Sequence, residues 1–325
     1  MSWLAPHAAW MVLLFGAAFG VVAPWVARRT RPAIATWMLS LGSLVAAAAG
    51  LLVLALFAAP FVGQADGVAD SFHWSPGVLR HDSPLGRGLS GLAIALLVAL
   101  CVRVCVVGPR QLRRLHRAAA TSRELPADAL VVLPTASVDA YSIPGRPGRV
   151  VVTRGLVRAL GPGERRAVLA HEHSHLVHRH HLHLIAGAVA AAANPLLAGI
   201  PAALRLATER WADEDAAGAC DRSTVCAALA IVASSASVVR RPALAMSIAS
   251  TAIAERMRAL QCSPPPPRLL LVATGVALVL ATVTTAVLAT GHTYHIFELA
   301  AAAGAHAARV VHRVGCASRV AGCAH

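Results

Sequence analysis

The chain has 325 residues, of which 57% are hydrophobic, 14% charged and 4% aromatic. Soluble globular proteins carry about 45–50% apolar and about 25% charged residues, so this composition excludes an ordinary soluble enzyme. It also excludes a chain disordered over most of its length, because disorder needs low hydrophobicity. The formal net charge is +14, and all 29 Lys-or-Arg residues are arginines. They sit beside apolar blocks without interleaved aromatics, which reads as the positive-inside bias of a membrane protein. No direct nucleic-acid binding is expected.

Four apolar blocks are long enough to span a bilayer, which takes about 20 residues. In chain order they run from Ala8 to Ala27, Ala33 to Ala59, Leu89 to Gly108 and Leu269 to Thr290. No Lys or Arg precedes the first block, so it reads as a retained helix and not a cleaved signal peptide. Arg28, Arg29 and Arg31 follow the first block, and Arg103, Arg110, Arg113, Arg114 and Arg117 lie in or after the third. Those regions should face the cytoplasm, with the N-terminus outside. The expected organisation is a three-helix transmembrane region over 1–108 and a cytoplasmic domain over 109–268. A fourth transmembrane helix over 269–290 and a short extracytoplasmic tail over 291–325 complete it. In fold class this is a mainly α membrane protein of about four spans with a cytoplasmic α+β domain, placed at a bacterial plasma membrane.

Within 109–268, Ala129–Leu133 and Gly148–Thr153 read as strands, separated by Ala140–Gly145, which ends in turn residues. Either an edge strand that could bind a substrate peptide or a plain structural hairpin fits this segment. Gly161-Pro162-Gly163-Glu164 reads as a helix start. The helix it opens carries His171-Glu172-His173-Ser174-His175, an HExxH sequence. Residues at i and i+4 share a helix face, so His171 and His175 can hold one zinc ion. Glu172 then stands beside the open coordination position as general base for a water that zinc activates.

A catalytic zinc needs a third protein ligand. Glu209 is the candidate, and Asp213, four residues on, can accept a hydrogen bond from a ligand histidine. An acidic solvated face is the plain alternative for that pair. His178 shares the face of His171 and His175 one turn beyond. It reads more simply as a polar residue near the membrane surface than as a ligand of a second ion.

The stretch 182–204 is apolar but cannot cross the bilayer, because Glu209 would then lie about 30 Å from the histidines. Asn194-Pro195 near its middle interrupts a helix. The expectation is a membrane-dipping helical hairpin, with the HExxH helix as its first arm and the Glu209 helix extending its second. The apolar run from Thr224 to Val239 is expected to be a packed helix, not a span.

These residues resemble the membrane zinc metallopeptidases typified by the BlaR/MecR antibiotic sensor-transducers, and more distantly the HtpX-like and CAAX prenyl proteases. The resemblance rests on Ala140-Tyr141-Ser142, Val150–Gly155, His171–His175, Asn194-Pro195-Leu196, Glu209 and Asp213. It implies one Zn2+ per chain held by His171, His175 and Glu209, with Glu172 as general base. It implies further an endopeptidase in signal transduction that acts on a protein substrate, such as a cytoplasmic DNA-binding repressor. The segment after the fourth block departs from the sensor-transducers in having no SxxK penicillin-binding motif.

Two other readings stand beside this one. One is a quality-control protease of the HtpX-like type. The other is a non-enzymatic, metal-binding membrane protein, suggested by seven histidines between His171 and His183. Of the seven cysteines, none forms a CxxC pair. Cys316 and Cys323 could pair if they lie outside the cell or could simply be unpaired small residues. Oligomeric state is not legible.

Overall fold

The computed structural model describes residues 7–126, 128–236, 243–263 and 268–322. In chain order, helices α1 (Ala8–Ala27) and α2 (Pro32–Gly63) precede two short helices, α3 (Asp66–Phe72) and α4 (Pro76–His81), and a long α5 (Arg87–Glu124). Strands β1 (Leu130–Leu133), β2 (Ala140–Ile143) and β3 (Arg149–Thr153) follow. Then come helices α6 (Arg154–Ala159), α7 (Pro162–Val177), α8 (His180–Ala193), α9 (Ile200–Ala219), α10 (Arg222–Ala236), α11 (Ala243–Gln261) and α12 (Leu269–Gly322). The chain is mostly helical, and among the described residues four helices are long and apolar enough to cross a membrane: α1, α2, α5 and the Leu269–Val310 part of α12. Large apolar side chains stand exposed along them, among them Leu14, Val21, Leu92 and Leu270. Such surfaces suit lipid and not water.

Contacts divide the chain into two compact units. The first comprises 1–18, 45–103 and 278–325. Its core gathers Val12, Val53, Phe57, Leu100 and Ala286, and Trp10 lies 5.0 Å from Phe57, ring centre to ring centre. The connection between the second and third apolar blocks is folded here. Leu79 of α4 packs on Ile296 and Ala300, and the Ser75 N–H donates to the Ala300 carbonyl at 2.9 Å. No helix end falls at Thr290: α12 runs on to Gly322. The sequence beyond 290 has no proline and an Ala-rich stretch from Leu299 to Ala308, and alanine is the strongest helix former. The pairing of Cys316 and Cys323 lies outside the described side chains.

The second unit comprises 19–44 and 104–277. Its sheet has the order β1-β3-β2, with β1 parallel and β2 antiparallel to the fully buried β3. Beside the sheet stands α7, started by Pro162 and by the Glu164 carboxylate, which accepts from the Gly161 N–H. The run from Thr224 forms α10, a 15-residue helix packed on α7, α9 and α11.

The hairpin differs from expectation in its first arm. The HExxH helix does not continue into it: α7 ends at Val177, Arg179 takes a left-handed conformation at φ 50°, and α8 begins at His180. A non-glycine residue there breaks the helical path, so a separate helix forms the arm. α8 has 14 residues and rises about 21 Å, short of the roughly 30 Å hydrocarbon core. At its end the Asn194 side chain accepts from the Leu196 N–H at 3.0 Å, capping a tight turn at Pro195–Leu197 that leads into α9. Helix α1 leans on that turn at Gly20, where a Cβ would lie 2.3 Å from the Leu196 carbonyl oxygen. A backbone oxygen cannot swing aside. Gly20→Ala is therefore expected to cost about 1–3 kcal/mol through overpacking. Thermal unfolding in detergent is the check, and an unchanged transition would mean that α1 does not bear on the hairpin.

Further ties link the first two helices to the rest of this unit. His183 Nδ1 lies 2.9 Å from the Ser40 hydroxyl, and its ring meets Trp37 edge-on. The buried Arg210 guanidinium donates to the Arg28 carbonyl at 3.2 Å at the end of α1. Such a cation suits a helix C-terminus. Arg28 in turn pairs with Glu255 at 3.2 Å.

Candidate metal centre

Helices α7 and α9 pack face to face, and that packing assembles the site. His171 and His175 project from one face of α7, with their Nε2 atoms 3.2 Å apart. Glu209 of α9 reaches between them, Oε2 lying 3.6 Å from His171 Nε2 and Oε1 3.6 Å from His175 Nε2. An ion with four tetrahedral bonds of about 2.0–2.1 Å sets its ligands about 3.3 Å apart. These three side chains therefore fit one zinc-sized ion, and they are the group able to hold a metal among the described residues.

The other nitrogen of each histidine is also engaged. His171 Nδ1 lies 3.0 Å from Asp213 Oδ1, and His175 Nδ1 lies 2.8 Å from His180 Nδ1. Partners of this kind orient a ligating imidazole and set its tautomer. For His175 to present a bare Nε2, its Nδ1 must carry the proton and His180 Nδ1 must accept it. His180 is almost fully buried, so burial and its histidine neighbours push its pKa down to about 3 and keep it an acceptor.

Burial alone would lower the pKa of His171. The hydrogen bonds to Asp213 and Glu209 outweigh it and push the pKa up to about 9. Burial lowers His175 to about 4, with the charges of His171 and Arg256 acting in the same direction. Burial would raise the Glu209 carboxyl, but the His171 hydrogen bond and the Arg256 charge hold it well below the usual carboxylate range. Glu172 behaves differently: burial lifts its pKa, against the lowering effects of His171 and of hydrogen bonds from the Ser142 hydroxyl and N–H. A carboxylate raised toward neutrality suits a general base.

Glu209 and Asp213 share one further partner, which nothing in the motif spacing announces. Arg256 of α11 grips Asp213 through Nε and Nη2 at 2.8 and 2.7 Å and reaches Glu209 Oε2 through Nη1 at 2.8 Å. The one sequence signal was a charged Glu255-Arg256 pair within the apolar helix α11. His180 was hidden for another reason. Residues five apart do not face each other on a regular helix, and the break at Arg179 is what turns His180 back onto His175. His178 is not part of the cluster: its Nε2 lies 2.9 Å from Asp215, which also accepts from the Ser174 hydroxyl, and its ring stacks 4.2 Å from Trp211. Glu214 pairs with Arg222.

Arg256→Lys is expected to weaken metal binding about 10–100-fold, as loss of an outer partner of a metal ligand does. An ammonium lacks the planar fork that holds two carboxylates at once. Chelator competition measures this, and an unchanged affinity would show that charge alone suffices.

β2 is an edge strand and lies against α7. The Thr153 N–H donates to the Asp139 carbonyl, so residues 139, 141 and 143 turn their backbone groups toward β3. Ser142 accordingly turns its N–H outward to Glu172, and Ala140 presents its own N–H and carbonyl on the same outer edge. A second, apolar recess lies beside Glu172, lined by Val168, Val225, Leu229 and Val232.

The family model for peptidase family M48 matches residues 109–260. Over those residues, just under half of the chain, the sequence is similar to peptidase family M48. That likeness implies a metallopeptidase, and the match covers α7, α9 and Arg256 together. A comparison with curated proteins and with solved structures returns no match.

Proposed function

We propose that the chain is a zinc-dependent endopeptidase of the membrane, with His171, His175 and Glu209 as metal ligands, Glu172 as general base and Asp213 steadying His171. The observation that carries this reading is the triangle of ligand atoms with Glu172 beside it. Zinc, when bound, supplies a Lewis acid that polarises the scissile carbonyl and lowers the pKa of a coordinated water. Glu172 takes the proton of the attacking water and returns it to the leaving amine, so that one water is consumed and a carboxylate and an amine are released. Ser142 holds Glu172 in place, and Ala140 pairs with the substrate backbone as an added strand. The apolar recess beside Glu172 takes one apolar side chain.

The membrane plan proposed with it has domains over 1–108, 109–268, 269–290 and 291–325, with the site at the cytoplasmic face beside a dipping hairpin. The length of α8 and the arginines beside the apolar blocks support that plan. A cytoplasmic regulator such as a transcriptional repressor is the proposed substrate.

The test compares newly formed protein N-termini in cells carrying the wild-type chain and cells carrying Glu172→Ala. A short set of fragments from a cytoplasmic DNA-binding protein, absent from the variant, is the expected result. A broad loss of membrane-protein fragments would favour quality control instead, and no difference would overturn the enzyme reading.

A further inference from the structure

We propose that a cationic groove at one end of the catalytic cleft binds acidic side chains of the peptide substrate. This rests on the endopeptidase reading above and names the substrate chemistry of that same site. The cleft is lined by Ala140, Ser142, Glu172 and the three proposed metal ligands, and also by Pro144 and His181. Two further cavities, of about 390 and about 610 Å3, share Pro144 and His181 with it. The first lies between α5, α8 and α9 and the second between α5 and the α7–α8 junction, both beside the cleft through those shared residues.

The charge in these cavities is of one sign. Arg114 and Arg205 line the first, and Arg123, Arg146 and Arg179 the second. No Asp or Glu lines either cavity. Among the described residues no carboxylate pairs with any of the five, and all five are exposed. Elsewhere in this unit arginines do find carboxylates: Arg28 and Arg222 each hold one, and Arg256 holds two. A concave surface lined by one sign of charge focuses its field and concentrates ligands of the opposite sign.

The strand direction places the groove on the substrate's path. β2 runs from Ala140 toward Pro144. A peptide added to its outer edge leaves the metal-binding side chains at the Pro144 end and enters the groove. For a substrate antiparallel to β2, the residues there are those N-terminal to the scissile bond; for a parallel one, those C-terminal to it. Asp or Glu at those positions meets guanidinium groups that the fold leaves unpaired. The apolar lining by Leu115, Leu184 and Ile185 accommodates the aliphatic part of the neighbouring side chains.

The experiment uses the full chain in a neutral detergent, loaded with zinc, and a mixed-sequence peptide library read by mass spectrometry. Expected is an enrichment of Asp and Glu on one side of the cleaved bond only. In the double variant Arg114→Glu/Arg146→Glu, the kcat/KM ratio of acidic to neutral peptides should fall about 10-fold or more, and basic residues should become preferred, since like charges discriminate against a partner. Raising salt from about 0.1 to about 1 M, which shortens the screening length from about 10 to about 3 Å, should flatten the wild-type preference.

Equal cleavage of acidic and neutral peptides by the wild type would overturn the proposal while leaving the endopeptidase reading intact. So would activity that rises with anionic phospholipid vesicles whatever the peptide's charge, which would make the groove a lipid headgroup site. No cleavage of any peptide would sink the endopeptidase reading itself, and this proposal with it.

Discussion

Glu172→Gln is expected to cut kcat/KM for peptide hydrolysis about 10²–10⁴-fold, the range associated with a positioned general base. The amide has nearly the shape of the carboxylate and can still accept from the Ser142 N–H, but it cannot take a proton from water. Metal content should be unchanged, because Glu172 is not among the three side chains proposed to hold the metal. The two readouts together separate loss of chemistry from loss of the site. The wild-type acid limb carries the same information. Burial raises the Glu172 pKa above its ordinary value, and a base works only when deprotonated. Activity should therefore fall as pH drops through that raised pKa, and the variant's residual activity should lack the limb. A loss of less than about tenfold, well short of the general-base range, would move the base to another residue.

Glu209→Ala carries the second large effect. The remaining pair, His171 and His175, leaves a catalytic site one ligand short of the usual three. Apparent zinc affinity should drop more than about 100-fold, beyond what losing an outer partner costs. The nearby histidines offer no ready substitute, since His178 is bound to Asp215 and His180 to His175. Chelator competition at several pH values measures the change. In the wild type, Asp213 and Glu209 outweigh burial and hold a proton on His171 up to about pH 9. Metal must displace that proton. Affinity should thus rise with pH by up to about tenfold per unit until His171 is deprotonated, one proton being released per site. Removing Glu209 takes away part of what holds the proton, so the pH dependence should also shift downward. Unchanged zinc content would place the third ligand elsewhere.

The site was partly legible because its two halves are local. His171 and His175 are four apart, and so are Glu209 and Asp213, and a helix puts such pairs on one face whatever the fold around them. The zinc chemistry of an HExxH sequence then asks for an acidic partner, the 209–213 pair offers one, and Glu209 lies beside both histidines. Arg256 was not legible in this way. It lies 43 residues beyond Asp213 on a helix that only packing brings to α9, and no spacing rule spans that distance. Ser142 was singled out by resemblance, yet its grip on Glu172 follows from β2 being an edge strand with its even-numbered residues turned outward.

What the sequence by itself determined is the part governed by composition and short-range periodicity. The apolar blocks make four helices able to span a membrane, because length and hydrophobicity alone decide that. Asn194-Pro195 ends a helix, because proline lacks the N–H that the next turn needs. Tertiary structure decided what depends on contacts between distant segments. It ended the HExxH helix at Val177 and turned the chain through a left-handed Arg179, which places His180 on His175. It set the order β1-β3-β2, in which β1 and β3 run parallel with β2 between them in sequence but outside them in the sheet. It also brought Arg256 onto two carboxylates at once. A left-handed residue and a partly buried three-way ion cluster each cost free energy locally. They persist because the packing of α7, α9 and α11 around them holds the chain in that arrangement, and no window of sequence contains that packing.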